Sequence, residues 1–174
     1  MKDLVSLSAN ILIVEDETDL LDVMTSEMSL YFSEIHGATN GIEAQEIIQR
    51  GMIDAIVTDY RMPKMNGLEL IAWVKKHNPM IPVIMLTANR NNPEVLAALV
   101  DGAFDILDKP FRIEVLANRV QNSLVYPKLI KLLWTVMSAE YPIPKMEEIA
   151  RLPFKDQLKT LNAFSALLET RALK

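Results

Sequence analysis

The chain alternates short apolar segments of strand length with segments whose apolar residues recur at helical spacing. Besides a short strand around Ile35, the apolar segments are 11–14, 53–58, 81–86 and 104–107. None approaches the roughly 20 apolar residues that a membrane-spanning helix needs. This alternation predicts five βα units, which form a parallel sheet with helices on both faces and right-handed crossovers.

Polar residues close four of these predicted strands. Glu15 and Asp16 follow the first strand, Asp59 ends the third, and Thr87 and Lys109 follow the last two. Ligands of parallel sheets bind outside the carboxyl ends of the strands. A carboxylate at a buried strand end is costly to desolvate unless it has a partner. We therefore expect one polar site, suited to a divalent cation and a phosphoryl group.

Each of these residue types has a role in phosphoryl transfer. A carboxylate such as Asp59 can act as a nucleophile and form an acyl phosphate. Asp16, Asp59 and a backbone carbonyl just after Asp59 offer oxygen ligands for Mg²⁺ or Mn²⁺, with Glu15 in support. Lys109 would balance the charge that develops on the phosphoryl group.

In four places the sequence resembles the receiver domain of two-component response regulators. The matching segments are Ile-Val-Glu-Asp-Glu at 13–17, Thr-Asp-Tyr-Arg-Met-Pro-Lys-Met-Asn-Gly at 58–67, Leu-Thr-Ala at 86–88 and Asp-Lys-Pro-Phe at 108–111. Their order and spacing also match, over residues 9–125. The resemblance implies a flavodoxin-like, doubly wound α/β fold with strand order 2-1-3-4-5.

The resemblance also implies site roles. Asp59 would accept phosphate from a histidine kinase or phosphotransfer protein, and Thr87 and Lys109 would bind the phosphoryl group. Glu15, Asp16, Asp59 and the backbone carbonyl of Arg61 would hold the metal ion.

Such a protein is not a dedicated enzyme. We expect Mg²⁺-dependent self-phosphorylation from small phosphodonors, slow autodephosphorylation, a cis Lys109–Pro110 peptide and a cytoplasmic location without a membrane span.

One position departs from the family pattern. The switch residue three positions before the lysine is usually Tyr or Phe in receivers, and here it is Ile106. Phe104, two residues earlier, is expected on the same strand face. Thr87, Ile106 and Phe104 are therefore the candidate switch residues.

Three rival classes with similar folds lack their required residues. A haloacid-dehalogenase-type phosphatase needs a second acid two residues after the nucleophile, where this chain has Arg61. Flavodoxins and Rossmann oxidoreductases need a phosphate-binding or glycine-rich loop after the first strand. This chain has Glu-Asp-Glu-Thr-Asp at 15–19 instead.

Residues 126–174 are expected to form an all-helical extension. Pro127 is expected to end or kink the fifth helix. An apolar helix follows over 129–137, and the last amphipathic helix would use Phe154, Leu158, Leu161 and Leu168.

Charge and hydrophobicity suggest the role of the extension. Residues 1–125 carry 10 Lys and Arg against 18 Asp and Glu, and residues 126–174 carry 8 against 5. Basic patches characterise DNA binders, and this excess is slight. We therefore favour an interaction or dimerisation module that passes the signal to a downstream protein target, with nucleic acid an unlikely partner. The alternative is a DNA-binding transcriptional regulator that uses Lys155, Lys159 and Asn162.

Overall fold

The computed structural model describes residues 7–138 and, further along, residues 148, 149, 152, 156, 159, 160 and 163. Five strands alternate with five helices. The strands are β1 (Leu7–Val14), β2 (Phe32–Ala38), β3 (Ala55–Asp59), β4 (Val83–Thr87) and β5 (Asp105–Asp108). The helices are α1 (Thr18–Met28), α2 (Gly41–Arg50), α3 (Gly67–His77), α4 (Pro93–Asp101) and α5 (Ile113–Ser138).

The sheet is entirely parallel and has the strand order β2-β1-β3-β4-β5. The predicted α/β fold and strand order are therefore confirmed. In this order the chain first builds β1 and β2 on one side and then β3, β4 and β5 on the other. The crevice between the two halves opens beside the carboxyl ends of β1 and β3, where ligands of doubly wound sheets bind.

Alternate residues of each strand point to opposite faces of the sheet and so build two cores. Ile13, Val57 and Leu86 pack on the face covered by α1 and α5. Val14 and Met85 pack on the face covered by α2, α3 and α4. Because β3 and β4 are buried on both faces, a polar side chain can leave the interior only at a strand end.

Asparagine caps start three of the helices. Asn40, Asn66 and Asn92 each accept a hydrogen bond from a backbone N–H in the first turn of the next helix. These bonds satisfy N–H groups that have no partner inside the helix. Pro93 occupies the first turn of α4, as predicted.

Two local predictions are corrected. Of the two effects predicted for Pro127, ending the fifth helix is wrong, because α5 continues through it to Ser138, and a kink there stays a prediction. The expected boundary at 125/126 thus falls inside a helix, where the helical residues on both sides offset one lost hydrogen bond. Phe104 does not share the face of Ile106. It precedes β5 and packs with the α1 and α5 side, whereas Ile106 packs on the opposite face.

Much of the extension cannot be compared with its prediction. Of the positions predicted for the last amphipathic helix, 154, 158, 161 and 168 lie outside the described residues, as do Lys155 and Asn162 of the DNA-binding alternative. Lys159 is described, and its ammonium lies 2.8 Å from the carboxylate of Asp156. Among the described residues no helix is both long and apolar enough to cross a membrane.

Candidate functional site

Lys109 joins two strand ends across the crevice. Its Nζ lies 2.6 Å from Oδ1 of Asp59 and 2.7 Å from Oε2 of Glu15. Both carboxylates are buried, with residue exposures of 8% and 1%. Buried charges are tolerated when they are paired and hydrogen-bonded. One ammonium therefore holds together the ends of β1, β3 and β5.

The backbone around Asp59 fixes its carboxylate. Oδ2 of Asp59 accepts a 2.6 Å hydrogen bond from the N–H of Arg61. The loop after β3 closes with a 3.0 Å bond from the Gly67 N–H to the Tyr60 carbonyl. A Cβ on Gly67 would collide with the carbonyl oxygen of Asp59. Only glycine allows α3 to begin this close to the strand end.

Three carboxylates form a group suited to a cation. Glu15, Asp16 and Asp59 each have an oxygen within 4.8 Å of the others, and Asp16 is exposed. Hard cations such as Mg²⁺ take oxygen ligands and usually keep several waters, which an exposed side permits. Among the described residues, these three carboxylates form a group that could supply side-chain oxygens to a metal ion.

Burial and ion pairing both affect the pKa values of Glu15 and Lys109. Desolvation is the largest cause that raises the pKa of Glu15, and the hydrogen bond from Lys109 opposes it. Burial by itself would lower the pKa of Lys109, but its hydrogen bonds to Asp59 and Glu15 outweigh that effect and raise the pKa. Lys109 is therefore a cation throughout the neutral range, while Glu15 ionises reluctantly.

A small pocket surrounds these groups. Thr87 is buried at the end of β4 and lines the pocket together with Ala88 and Asn89. The Thr87 Oγ1 accepts a 3.1 Å hydrogen bond from the Asn89 N–H. The exposed Arg61 also lines the pocket. A phosphoryl group on Asp59 would meet a cation and a hydroxyl here.

Comparison with known proteins agrees with this geometry. The sequence model of the response regulator receiver domain matches residues 11–121. The chain belongs to the response regulator receiver domain family. It is 31% identical over 116 residues to "Transcriptional regulatory protein GlrR" of Escherichia coli K12, a match covering 67% of this chain and 26% of that protein. It is 33% identical over 123 residues to "Response regulator MprA" of Mycobacterium ulcerans, covering 71% and 53%.

A solved receiver domain confirms the fold independently. The response regulator receiver domain protein from Clostridium thermocellum superposes with a TM-score of 0.65 at 28% identity, covering 70% of this chain and 98% of that one. By contrast, the chain spans only about a quarter to a half of the two curated relatives named above. The similarity therefore concerns their receiver portions.

The receiver pocket contains the predicted residues and some that were missed. Glu15, Asp16, Asp59, Thr87, Lys109 and Arg61 all line it. Ile106 does not, because it is fully buried in the core. Sequence analysis missed Tyr60 and Asn92, which also line the pocket. The Asn-Pro pair at 92–93 is typical of a helix start and, just after a strand end, could have suggested Asn92.

Proposed function

We propose that Asp59 is the phosphoacceptor of this receiver and takes its phosphoryl group from a phosphohistidine of a histidine kinase or phosphotransfer protein. The observation that carries the proposal is the ammonium of Lys109, 2.6 Å from the Asp59 carboxylate at the mouth of the pocket. An Asp59 oxygen attacks phosphorus, the P–N bond breaks, and its electron pair stays on the ring nitrogen, so that a histidine protonated on its other nitrogen leaves as neutral imidazole. The Thr87 hydroxyl and Lys109 hold the phosphoryl oxygens.

We propose that Asp16, Asp59 and the carbonyl of Arg61 hold Mg²⁺ or Mn²⁺, with Glu15 in support. When bound there, the ion would supply charge neutralisation and alignment for the transferring group. Small phosphodonors would then phosphorylate the protein directly, and slow hydrolysis would remove the phosphate. The cytoplasmic location expected from the sequence stays a prediction.

The test of the acceptor is a labelling experiment. The full chain is mixed with Mg²⁺ and acetyl phosphate, and its intact mass is measured. The wild type should gain one acid-labile phosphate and Asp59→Asn none. Asp54→Asn is the matched control, because Asp54 lies at the opposite edge of the sheet, where it accepts a hydrogen bond from the Asn10 N–H. Equal labelling of Asp59→Asn and wild type would exclude the assignment.

For the output, we propose that residues 9–125 act as the phosphoacceptor unit and that 126–174 associate with a second copy of the chain. Val125, Leu129 and Leu132 are exposed by 62, 45 and 61%. Their spacing of four and three residues places them on one face of α5. This narrow apolar stripe has the spacing of a coiled-coil seam, and a second copy would bring an identical stripe.

Light scattering after size-exclusion chromatography tests this association. The double variant Leu129→Gln/Leu132→Gln should lower the dimer fraction, with or without phosphodonor. Leu30→Gln, in the turn after α1, is the control, since Leu30 is 57% exposed and lies off the stripe. An unchanged association state in the double variant would contradict the proposal.

DNA binding is the alternative output. GlrR is called a transcriptional regulatory protein, but the matched segment is about a quarter of its length. The extension of the present chain carries only the slight basic excess noted above. Salt-sensitive, sequence-specific binding of duplex DNA by the full chain would favour this alternative.

A further inference from the structure

A hydrogen bond joins the neighbour of Asp59 to helix α4. The Tyr60 hydroxyl donates to Oε2 of Glu94 at 2.6 Å, across 34 residues of sequence. The Asn92 side-chain amide approaches the same hydroxyl oxygen at 3.4 Å. Asn92 is the N-cap of α4 and accepts the Glu94 N–H at 3.0 Å. One phenol therefore contacts both residues that define the first turn of α4.

The other side of Tyr60 faces the pocket. Its backbone N–H donates to the Leu86 carbonyl at 2.9 Å, which fixes the main chain between β3 and β4. The Arg61 guanidinium lies over the Tyr60 ring, 5.7 Å from its centroid. The Arg61 N–H in turn donates to Oδ2 of Asp59. A change at the Asp59 carboxylate therefore reaches the Tyr60 ring through one neighbouring residue.

The electrostatics keep the hydroxyl as a donor. The hydrogen bond to Glu94 is the largest cause that raises the pKa of Tyr60, because it favours the protonated phenol. The bond is charge-assisted, since its acceptor is a carboxylate, and such bonds are stronger than neutral ones.

The switch position three residues before Lys109, which is usually aromatic in receivers, has no aromatic residue in this chain. That position holds Ile106, which has no aromatic ring and is fully buried in the core. Phe104 packs on the opposite face of the sheet. A signal at Asp59 needs another path to the α4 surface, and the Tyr60–Glu94 bond spans that distance.

We propose that Tyr60 is a positioning residue that couples the state of the Asp59 pocket to the first turn of α4. The inference rests on the proposed phosphorylation of Asp59. A phosphoryl group on the carboxylate competes with the Arg61 N–H for Asp59 oxygens. Arg61 and the Tyr60 ring beneath it then shift. Glu94 moves with them because its carboxylate accepts the hydrogen bond from the Tyr60 hydroxyl.

The test follows hydrogen exchange in the full chain with Mg²⁺, before and after phosphorylation by acetyl phosphate. The amides of Glu94 and Leu96 are followed, because both bond to Asn92. Phosphorylation should change their exchange rates in the wild type. In Tyr60→Phe the mass label at Asp59 should be unchanged and the exchange response should fall about fivefold, the equilibrium factor of one hydrogen bond.

Matched variants separate coupling from general damage. Tyr31→Phe removes a phenol hydroxyl on the other face of the sheet and should respond like the wild type. Glu94→Gln keeps an acceptor oxygen and should retain most of the response, whereas Glu94→Ala should lose it. This rescue by glutamine distinguishes the hydrogen bond from the bulk of the side chain.

Each remaining outcome rejects the coupling. If Tyr60→Phe shows the same phosphorylation-dependent change in exchange as the wild type, the coupling is rejected. If exchange in Tyr60→Phe rises equally in the unphosphorylated and phosphorylated protein, the hydrogen bond is merely structural and the coupling is also rejected. Loss of the Asp59 label in Tyr60→Phe would assign the hydroxyl to the chemistry instead. If the wild type gains no phosphate on Asp59, the proposed function itself is rejected. The wild-type measurement therefore separates failure of the proposed function from failure of the coupling.

Discussion

Lys109 and Lys75 lie near opposite ends of the strands, Lys109 at the edge formed by their carboxyl ends and Lys75 near the edge formed by their amino ends. Lys109, at the carboxyl edge, has two carboxylates within 2.7 Å of its ammonium, and its pKa is raised. Lys75, at the end of α3 near the amino edge, has the carbonyl of Pro79 as its hydrogen-bond acceptor at 3.2 Å. Burial lowers the pKa of Lys75 to about 8.

The difference shows that charged partners can reverse the effect of burial on the pKa of a lysine. Both ammonium groups are partly removed from water, but only Lys109 has negative charge to compensate. Lys75 lies over Gly102, where a Cβ would come within 2.8 Å of its Cγ. The methylenes of Lys75 thus fill space in the fold, while the Lys109 charge organises a site.

Lys109→Met should lower the free energy of unfolding at pH 7 without Mg²⁺ by about 3 kcal/mol, because removing one partner leaves buried charges uncompensated. The loss should shrink toward pH 5. Glu15 has a raised pKa in the folded protein, so its ionised form is penalised and the penalty grows as pH rises through that pKa. The hydrogen bond from Lys109 lowers the pKa of Glu15. Removing Lys109 therefore shifts the pH range over which this penalty grows to higher pH.

Urea unfolding at pH 5 and pH 7 measures the effect. Lys76→Met is the control, since Lys76 is exposed on α3. We also expect Lys109→Met to accept phosphate from acetyl phosphate more slowly. A variant as stable as wild type at both pH values would mean that the Lys109 pairs contribute nothing to folding.

Mg²⁺ should stabilise the carboxyl edge. At ten times its dissociation constant it adds about 1.4 kcal/mol by mass action. Asp16→Asn should reduce the thermal shift, because one oxygen of the acidic group then lacks a charge. Asp54→Asn, at the amino edge, should leave it intact. In Lys109→Met the shift should grow, since the ion replaces a missing cation. Equal shifts in Asp16→Asn and wild type would place the ion elsewhere.

The carboxyl edge could be predicted from the sequence, for a physical reason. In a parallel sheet all strand ends of one kind meet at one edge, so Asp59, Thr87 and Lys109 converge once the strands are recognised. Short apolar segments with polar ends make that recognition possible. The strand order, in contrast, came only from the family resemblance.

Other features depend on tertiary geometry that periodicity does not encode. The Tyr60–Glu94 bond joins residues 34 apart, and nothing in the spacing pairs them. Pro127 indicates a break locally, yet α5 continues because the helical residues on both sides outweigh one missing bond. Phe104 departs from the predicted face because β5 begins at Asp105, so strand alternation does not apply to the residue before it.

The smallest effect concerns the amino edge and pH. The pKa of Lys75 is depressed in the folded protein, so the unfolded chain binds more protons between about pH 8 and the ordinary lysine value of 10.5. Stability should therefore rise with pH across that window. One pKa unit corresponds to about 1.4 kcal/mol. Because Lys75 is partly exposed, we expect the whole pH-dependent change that it makes in the free energy of unfolding to be about 1 kcal/mol.

Lys75→Met should make the protein more stable than wild type at pH 7.5 and remove this part of the pH dependence, because a methionine covers Gly102 without burying a charge. The measurement is the difference in unfolding free energy between variant and wild type at pH 7.5 and 9.5, which cancels other titrating groups. Lys76→Met should show the same difference at both values. If Lys75→Met destabilises the protein equally at both pH values, the hydrogen bond from Lys75 to the Pro79 carbonyl outweighs the cost of desolvating the ammonium. Lys75 and Lys109 would then differ less than the directions of their pKa shifts imply.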